Sequence, residues 1–425
     1  MTRLFLFLSA AFCAIQALGQ YPNVKISESI SGFQPCEPSI SINRYNPLQM
    51  VAGSVLNQVF TSSDGGQTWD VKTLTSKFGV YGDPCIVHGK KNTFYYFHLS
   101  DPSGKGWSDD RLLDRIVCQR SKDNGINWSK GSSIGEAHPK DQDKEWAAFD
   151  DISERLFVTW TNFDKYKSIQ PGDSTYILFS SSNGKAKKWS KPIRISDRAG
   201  DCLDSDNTTE GAVPCPGPNG EIYVAWALGD DIWFDRSLDK GKTWLQNDIK
   251  AATIHGGWDQ KIEGIGRANG MPVTGCDLSS GPHRGSVYIL WSDQRTGESD
   301  TDIWITKSTD GGKTWAKDKR VNDDPAGKQQ FFPWMAIDQT NGNIYVVFYD
   351  RRDHDDTKTD VWLATSSDGG KTFTNERISE SPFVPNPFVF FGDYNNISAH
   401  GGFVRPIWTR SEGQKLTVYT AIINK

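Results

Sequence analysis

The chain has 425 residues, a formal net charge of −5 and 23% charged residues, with no basic patch or run, which argues against a nucleic-acid partner. Its 16 Trp and 40 Gly against only 4 Met point to β-structure with many turns. Most rings are expected between sheets, and any left exposed suit the CH-rich faces of sugars. The length fits two or three ordinary domains, but all-β proteins often exceed that size as one.

The chain opens MTRLFLFLSAAFCAIQALGQ. Arg3 supplies a positive start, Leu4 to Leu18 is apolar, and Ala17-Leu18-Gly19 places small residues before a cut at Gln20. Residues 1–19 therefore read as a secretory signal peptide, too short for a good membrane span. Cys13 follows Phe12, where a lipid-attachment site needs a small residue. No later segment is apolar enough to cross a bilayer. The expectation is a secreted or periplasmic monomer whose mature part, 20–425, is one domain. The sequons at Asn127, Asn207 and Asn396 matter only in a eukaryotic host.

Val24–Ser29 (VKISES) reads as a strand with no local partner. EPSISI from Glu37 then begins a unit that recurs. A strand (VFTSS) runs into the polar turn SSDGGQTW at Ser62, and the turn returns as SKDNGINW (Ser121), SLDKGKTW (Ser237), STDGGKTW (Ser308) and SSDGGKTF (Ser366). A degenerate copy, SSNGKAKKW, starts at Ser181. In each, Asp can accept hydrogen bonds from its own loop, Gly supplies a positive φ, and the closing aromatic packs back between sheets. The turn is read as structural. Earlier in each unit lies an alternating strand ending in an aromatic (FYYFH, LFVTW, IYVAW, VYILW, IYVVF), the period of a β-strand.

Inner strands can be counted as well: they open near Glu37, Asp83, Glu145, Glu210, Met271, Pro333 and Asp393. The last unit, 393–425, lacks a fourth strand, and VKISES matches the outer strand ERISES (376–381). The fold expected is an all-β propeller of seven four-stranded blades, closed by the N-terminal strand pairing with the C-terminal blade. Six blades, one per turn, is the alternative. Closure hides sheet edges. Six cysteines follow the leader with no metal-ligand spacing. Cys202 and Cys215 flank a loop and are the best candidates for a disulfide; six buried thiols is the equal alternative.

The repeated turns resemble the Asp-box (BNR) repeats of the sialidase-like β-propellers, and the resemblance covers nearly all of the mature chain. PWMAID followed by YDRR resembles the bacterial secreted type. It implies a propeller whose site lies at the axial cavity. In sialidases three arginines bind the substrate carboxylate, a Tyr–Glu pair is the nucleophile and an Asp the acid/base. Their Arg-Ile-Pro motif on the first inner strand is replaced here by Cys36-Glu37-Pro38-Ser39.

The turns join third and fourth strands, so the functional face is the opposite one, built from inner-strand starts and loops after second strands. It carries Glu37, Asp83, Glu145, Glu210 and Asp393 with Tyr394. It also carries Asp293 and Arg295, then Asp350, Arg351 and Arg352, and, on the long loop before the fifth inner strand, His255, Trp258, Glu263 and Arg267. Arg405 lies within a second strand. Glycoside hydrolysis needs two carboxyls across the scissile bond, and crowded acids raise one another's pKa. Glu145, Glu210, Asp83, Tyr394 and Asp393 are the catalytic candidates. Glu37, Arg267, Arg295, Arg352, His255 and Trp258 are the substrate-binding ones, the arginines clamping an acidic sugar. Asp293 and Asp350 recur at equivalent blade positions, which suggests structural pairing with Arg295 and Arg352. The alternative reading is that the acids cap strand ends or hold calcium through oxygen ligands; no cofactor is otherwise expected. The function expected is an exo-sialidase-like glycoside hydrolase on an anionic glycan, with a uronate lyase or a non-catalytic glycan- or protein-binding propeller as alternatives.

Overall fold

A computed structural model describes residues 21–29 and 34–425. The signal-peptide reading lies outside the described residues. Seven antiparallel sheets form a ring, with inner strands Ser39–Ile42, Cys85–His88, Asp141–Asp150, Glu210–Pro216, Val273–Cys276, Gln330–Ile337 and Asn396–His400 in blades 1 to 7. Six blades take their four strands in chain order. The seventh runs Asn396–His400, Phe403–Glu412, Lys415–Ala421 and then Asn23–Glu28. Asn23 lies opposite Ala421 and Glu28 opposite Thr417, so the N-terminal strand closes the ring as its sequence implied. The count is seven, not six.

Second strands depart from the alternating pattern. Phe94–Leu99, Val287–Asp293 and Ile344–Asp350 are buried at every position. Each blade packs on a neighbour through both faces, so neither face keeps water.

The repeated turns join third and fourth strands on the side away from the site. In blade 5, Asp310 Oδ1 accepts from Ser308 Oγ (2.8 Å) and from the N–H groups of Lys313 (2.9 Å) and Thr314 (3.0 Å), and Ser308 Oγ accepts from Gly312 N–H at 2.8 Å. The turn also docks on the blade before it. Trp315 packs edge-on against Phe234 of blade 4, and Trp244 against Phe179 of blade 3, with ring centroids 5.0 and 4.9 Å apart. A Cβ on Gly312 would lie 2.2 Å from the Phe234 ring, and one on Gly241 2.4 Å from Phe179. The glycines are demanded by positive φ (81° and 83°) and by this close approach together.

The six described cysteines are free and buried, so the expected Cys202–Cys215 bridge is not formed. Cys202 precedes the fourth inner strand on the side where Glu210 begins it. Cys215 lies five residues further along the strand, about 16 Å away at strand rise.

Candidate functional site

The strand starts are shaped by backbone strain. Glu37, Asp83, Lys144 and Phe332 are non-glycine residues with φ of 52°, 46°, 54° and 50°. Three of them precede Pro38, Pro84 and Pro333, and proline bars its predecessor from the right-handed helical region. The ladder between inner and second strands slips at the same place in three blades, between Asp143 and Trp146, Glu210 and Val213, and Phe331 and Trp334. An inserted residue re-aims side chains at such a bulge, and strain of this kind collects at functional sites.

In blade 3 the bulge turns Lys144 into a ring of acids. Its buried ammonium bonds Asp393 Oδ2 and lies 3.8 Å from Asp83 Oδ2 and 3.9 Å from Glu37 Oε1. Arg267 is the second cation. It grips Asp204 with two hydrogen bonds of 3.0 and 3.2 Å, and its Nε stands 3.1 Å from Asp393 Oδ1, an ion pair without hydrogen-bond alignment. Arg267 is presented by a short hairpin, Asp259–Gln260 with Ala268–Asn269, and Asn269 Nδ2 donates to the Asp393 carbonyl at 2.8 Å. Tyr166 Oη donates to Asp204 Oδ2 at 2.5 Å.

Protonation follows from this crowding. Burial, then the charge of Asp83, pushes Glu37 well above the carboxylate range, and the same two causes raise Asp143. Asp83 lies directly beside both carboxyls and so sits between two acids displaced toward their protonated forms. Burial opposes ionisation of Asp393 too, but Lys144 and Arg267 outweigh it and hold that carboxyl below its usual value. One mouth thus contains proton donors and a fixed carboxylate, the separation that acid–base chemistry requires.

These groups floor a cleft of about 600 Å³ whose walls include Tyr81, Trp107, Tyr166 and Phe390. Trp107 is 62% exposed and Phe390 49%. The Trp107 and Tyr166 rings stack 5.3 Å apart at 24°. Beneath the acids the axial channel is plugged by Trp146, Trp334 and Tyr394, with Trp146 4.2 Å from Trp334 and 4.9 Å from Tyr394, leaving a void of about 30 Å³. The site opens one way only.

Of the residues expected from sequence, Glu37, Asp83, Arg267 and Asp393 are brought together here. Glu145 and Glu210 are buried behind the cleft and do not line it, with no hydrogen bond to either carboxylate and both held protonated chiefly by burial. Tyr394 belongs to the plug. Burial and the surrounding carboxylates raise its hydroxyl, which disfavours the tyrosinate a nucleophile needs. The expected convergence of three arginines does not occur. Arg295 is tied to Asp293 (2.6 Å) and Asp318 (3.1 Å) over the Trp304 ring, and Arg352 to Asp350 (2.8 Å) and Asp323 (2.5 Å) over Trp362. Both tryptophans are on third strands, away from the axis, so the pairing of these arginines with Asp293 and Asp350 is a blade feature. Trp258 is 1% exposed with its indole N–H on the Thr208 carbonyl at 3.1 Å, a core residue rather than a clamp. His255 is exposed and lines no part of the cleft. Arg405 is buried on the carbonyls of Gly65, Val404 and Ile423.

Asp143, Lys144, Tyr166 and Asp204 escaped the sequence reading. Asp143 and Lys144 flank Glu145, and the sequence phase cannot show that a bulge turns these two inward. Asp204 follows Cys202 in an acidic loop with no motif. Among the described residues no group of three or more His, Cys, Asp or Glu is arranged to hold a metal ion.

No family model matches the chain. A xyloglucanase, Xgh74A of Acetivibrio thermocellus, is 25% identical over 296 residues, 64% of this chain and 30% of the relative. A Paenibacillus xyloglucanase is 27% identical over 183 residues, 42% of this chain and 16% of the relative. The chain thus spans under a third of the length of these relatives. Among solved structures, an ulvan lyase described as a polysaccharide lyase aligns over 95% of this chain and 96% of its own, with TM-score 0.54 and 10% identity. A protein of unknown function from Dyadobacter fermentans aligns over 93% and 100% (TM-score 0.53, 12% identity), and the NanB sialidase of Streptococcus pneumoniae over 80% and 68% (0.52, 10%). At these identities the structural likeness establishes the fold: a seven-bladed β-propeller of four-stranded antiparallel sheets.

Proposed function

We propose that this chain is an exported carbohydrate-active propeller enzyme, a glycoside hydrolase whose proton donor is Asp143, seated beside Asp83. The observation that carries the reading is the convergence of Glu37, Asp83 and Asp393 on Lys144, with Asp143 beside Asp83, at the floor of an aromatic-walled cleft. The named activities of the xyloglucanases, and of the lyase and sialidase that share the fold, support a glycan as substrate.

Burial and the charge of Asp83 push Asp143 toward its protonated form, and it is the most exposed of the three crowded acids, at 9% against 7% for Asp83 and 3% for Glu37. It delivers that proton to the glycosidic oxygen as the bond to the anomeric carbon breaks. Asp83, directly beside Asp143, stands too close to face it across the scissile bond and holds the donor's carboxyl in place; water adds to the anomeric carbon and the proton it loses returns to Asp143. Lys144 and Arg267 fix Asp393 and keep the acids from repelling one another.

The test is a panel of neutral, uronate and sialylated glycans assayed for new reducing ends, free sialic acid and unsaturated uronate. Hydrolysis of at least one is expected, and Asp83→Asn or Asp143→Asn should lower kcat about 10²–10⁴-fold with the circular dichroism spectrum intact. Product carrying an unsaturated uronate would replace hydrolysis with elimination. No product from any glycan would remove the enzymatic reading.

A further inference from the structure

We infer that the substrate is an extended, uncharged polysaccharide that crosses two lobes of one groove and is cut internally; this rests on the hydrolytic reading above and names its substrate. The aromatic cleft does not end at the acids. A second, wider lobe of about 860 Å³ adjoins it, and Lys167 and Arg267 line both. A site for one terminal sugar would be a closed pocket on one side of the reacting groups. Here the narrow lobe that holds the acids continues past Lys167 and Arg267 into the wide one, and each lobe alone reaches the size of a site for a drug-sized ligand.

The charge of the groove selects the substrate. In the wide lobe Lys261 pairs with Glu298 at 3.2 Å and Lys328 with Asp355 at 2.8 Å. Arg351 is spent on Gln329 Oε1 (2.6 Å) and the Glu263 carbonyl (2.7 Å). Arg267 lies between Asp204 and Asp393, and Lys144 among three acids. Among the described residues lining the two lobes, that leaves Lys167, set over the Tyr166 ring at 5.2 Å, and Arg351 as the cations without a carboxylate ion pair, and the Arg351 guanidinium is already occupied by Gln329, Thr359 and the Glu263 carbonyl. Asp259 and Asp356 line the wide lobe and Asp83 the narrow one. A chain carrying a carboxylate or sulfate on each unit would meet excess negative charge and no open guanidinium. A neutral chain loses nothing to that field. Its hydroxyls find the carboxylates and amides of the wide lobe, and its CH faces find the stacked Trp107–Tyr166 pair and Phe390.

The experiment measures binding to Asp83→Asn, with Asp143→Asn as a second inert form, by titration calorimetry. The probes are neutral cello- and xylo-oligosaccharides of increasing length and oligogalacturonates of matching length. Affinity for at least one neutral series should climb with length well beyond a disaccharide and change little with salt. Trp107→Ala in the same background should weaken the long neutral ligands about tenfold. Wild-type enzyme on the polymer should lower viscosity well before reducing ends accumulate. Tighter binding of the galacturonates, affinity that stops rising at one or two sugars, or indifference to Trp107→Ala would each overturn the inference. If the wild type cuts nothing but the length-dependent neutral binding holds, the hydrolytic reading fails and the substrate assignment stands as a ligand assignment.

Discussion

Lys144 is 6% exposed in a left-handed backbone conformation, and the bulge that strains it also carries its ammonium to the axis. Burial alone would lower its pKa, but Asp393, Asp83 and Glu37 outweigh that and raise it well above the usual lysine value. Taking one partner from such a buried set costs about 3–5 kcal/mol, because the other charges stay buried and uncompensated. Lys144→Met should therefore lower the urea midpoint strongly, and adding Asp393→Asn should restore part of the loss; a double variant no more stable than the single one would break this account. The raised acids also fix a pH profile. Glu37 and Asp143 are displaced toward their protonated forms, so the donor form persists above the usual carboxylate range and is lost as pH rises toward the displaced pKa values. kcat/KM should hold its acid-side value through the usual carboxylate range and decline on its alkaline side; a decline centred near pH 4–5 would contradict the assignment of Asp143 as donor.

At the scale of an element, the eight-residue turn does two jobs, and only one shows in its own sequence. Ser-x-Asp-x-Gly spells out the internal hydrogen bonds. That the glycine and the closing Trp also seat against Phe234 or Phe179 of the preceding blade depends on the ring. Gly312→Ala adds a methyl where the Phe234 ring already lies, at a φ that resists a side chain. It should destabilise by about 1–3 kcal/mol with kcat unchanged below the transition, read from thermal unfolding and the reducing-end assay. An unchanged melting temperature would mean the turn is independent of its neighbour. Inner strands behave differently. Their positions were legible from repeated openings such as EPSISI and DPCIV, but their facing was not. One extra residue at Lys144–Glu145 inverts which side chain meets the cleft, and period-2 reasoning has no means to register it.

For the whole molecule, the seam between Asn23–Glu28 and Lys415–Ala421 is what makes a ring of seven sheets. Ile26 is buried there with Ile40, Phe60, Ile407 and Val418, and Ser27 Oγ donates to Gln58 Oε1 at 2.7 Å, tying the last blade to the first. Ile26→Ala should cost about 2–4 kcal/mol and unfold the protein in one lowered transition; loss of a single blade while six remain folded would show that closure is not shared. The sequence by itself determined the blade count, the closing strand and which mouth the inner-strand starts face, because these follow from repeat order and strand direction, which are local and periodic. Only the tertiary structure decided which acids meet, that Arg295 and Arg352 are spent within their blades while Arg267 reaches the axis, and that aromatic rings plug the channel. Those outcomes turn on bulges, positive φ and hairpin placement, where a shift of one residue or a few ångströms exchanges a buried side chain for a working one.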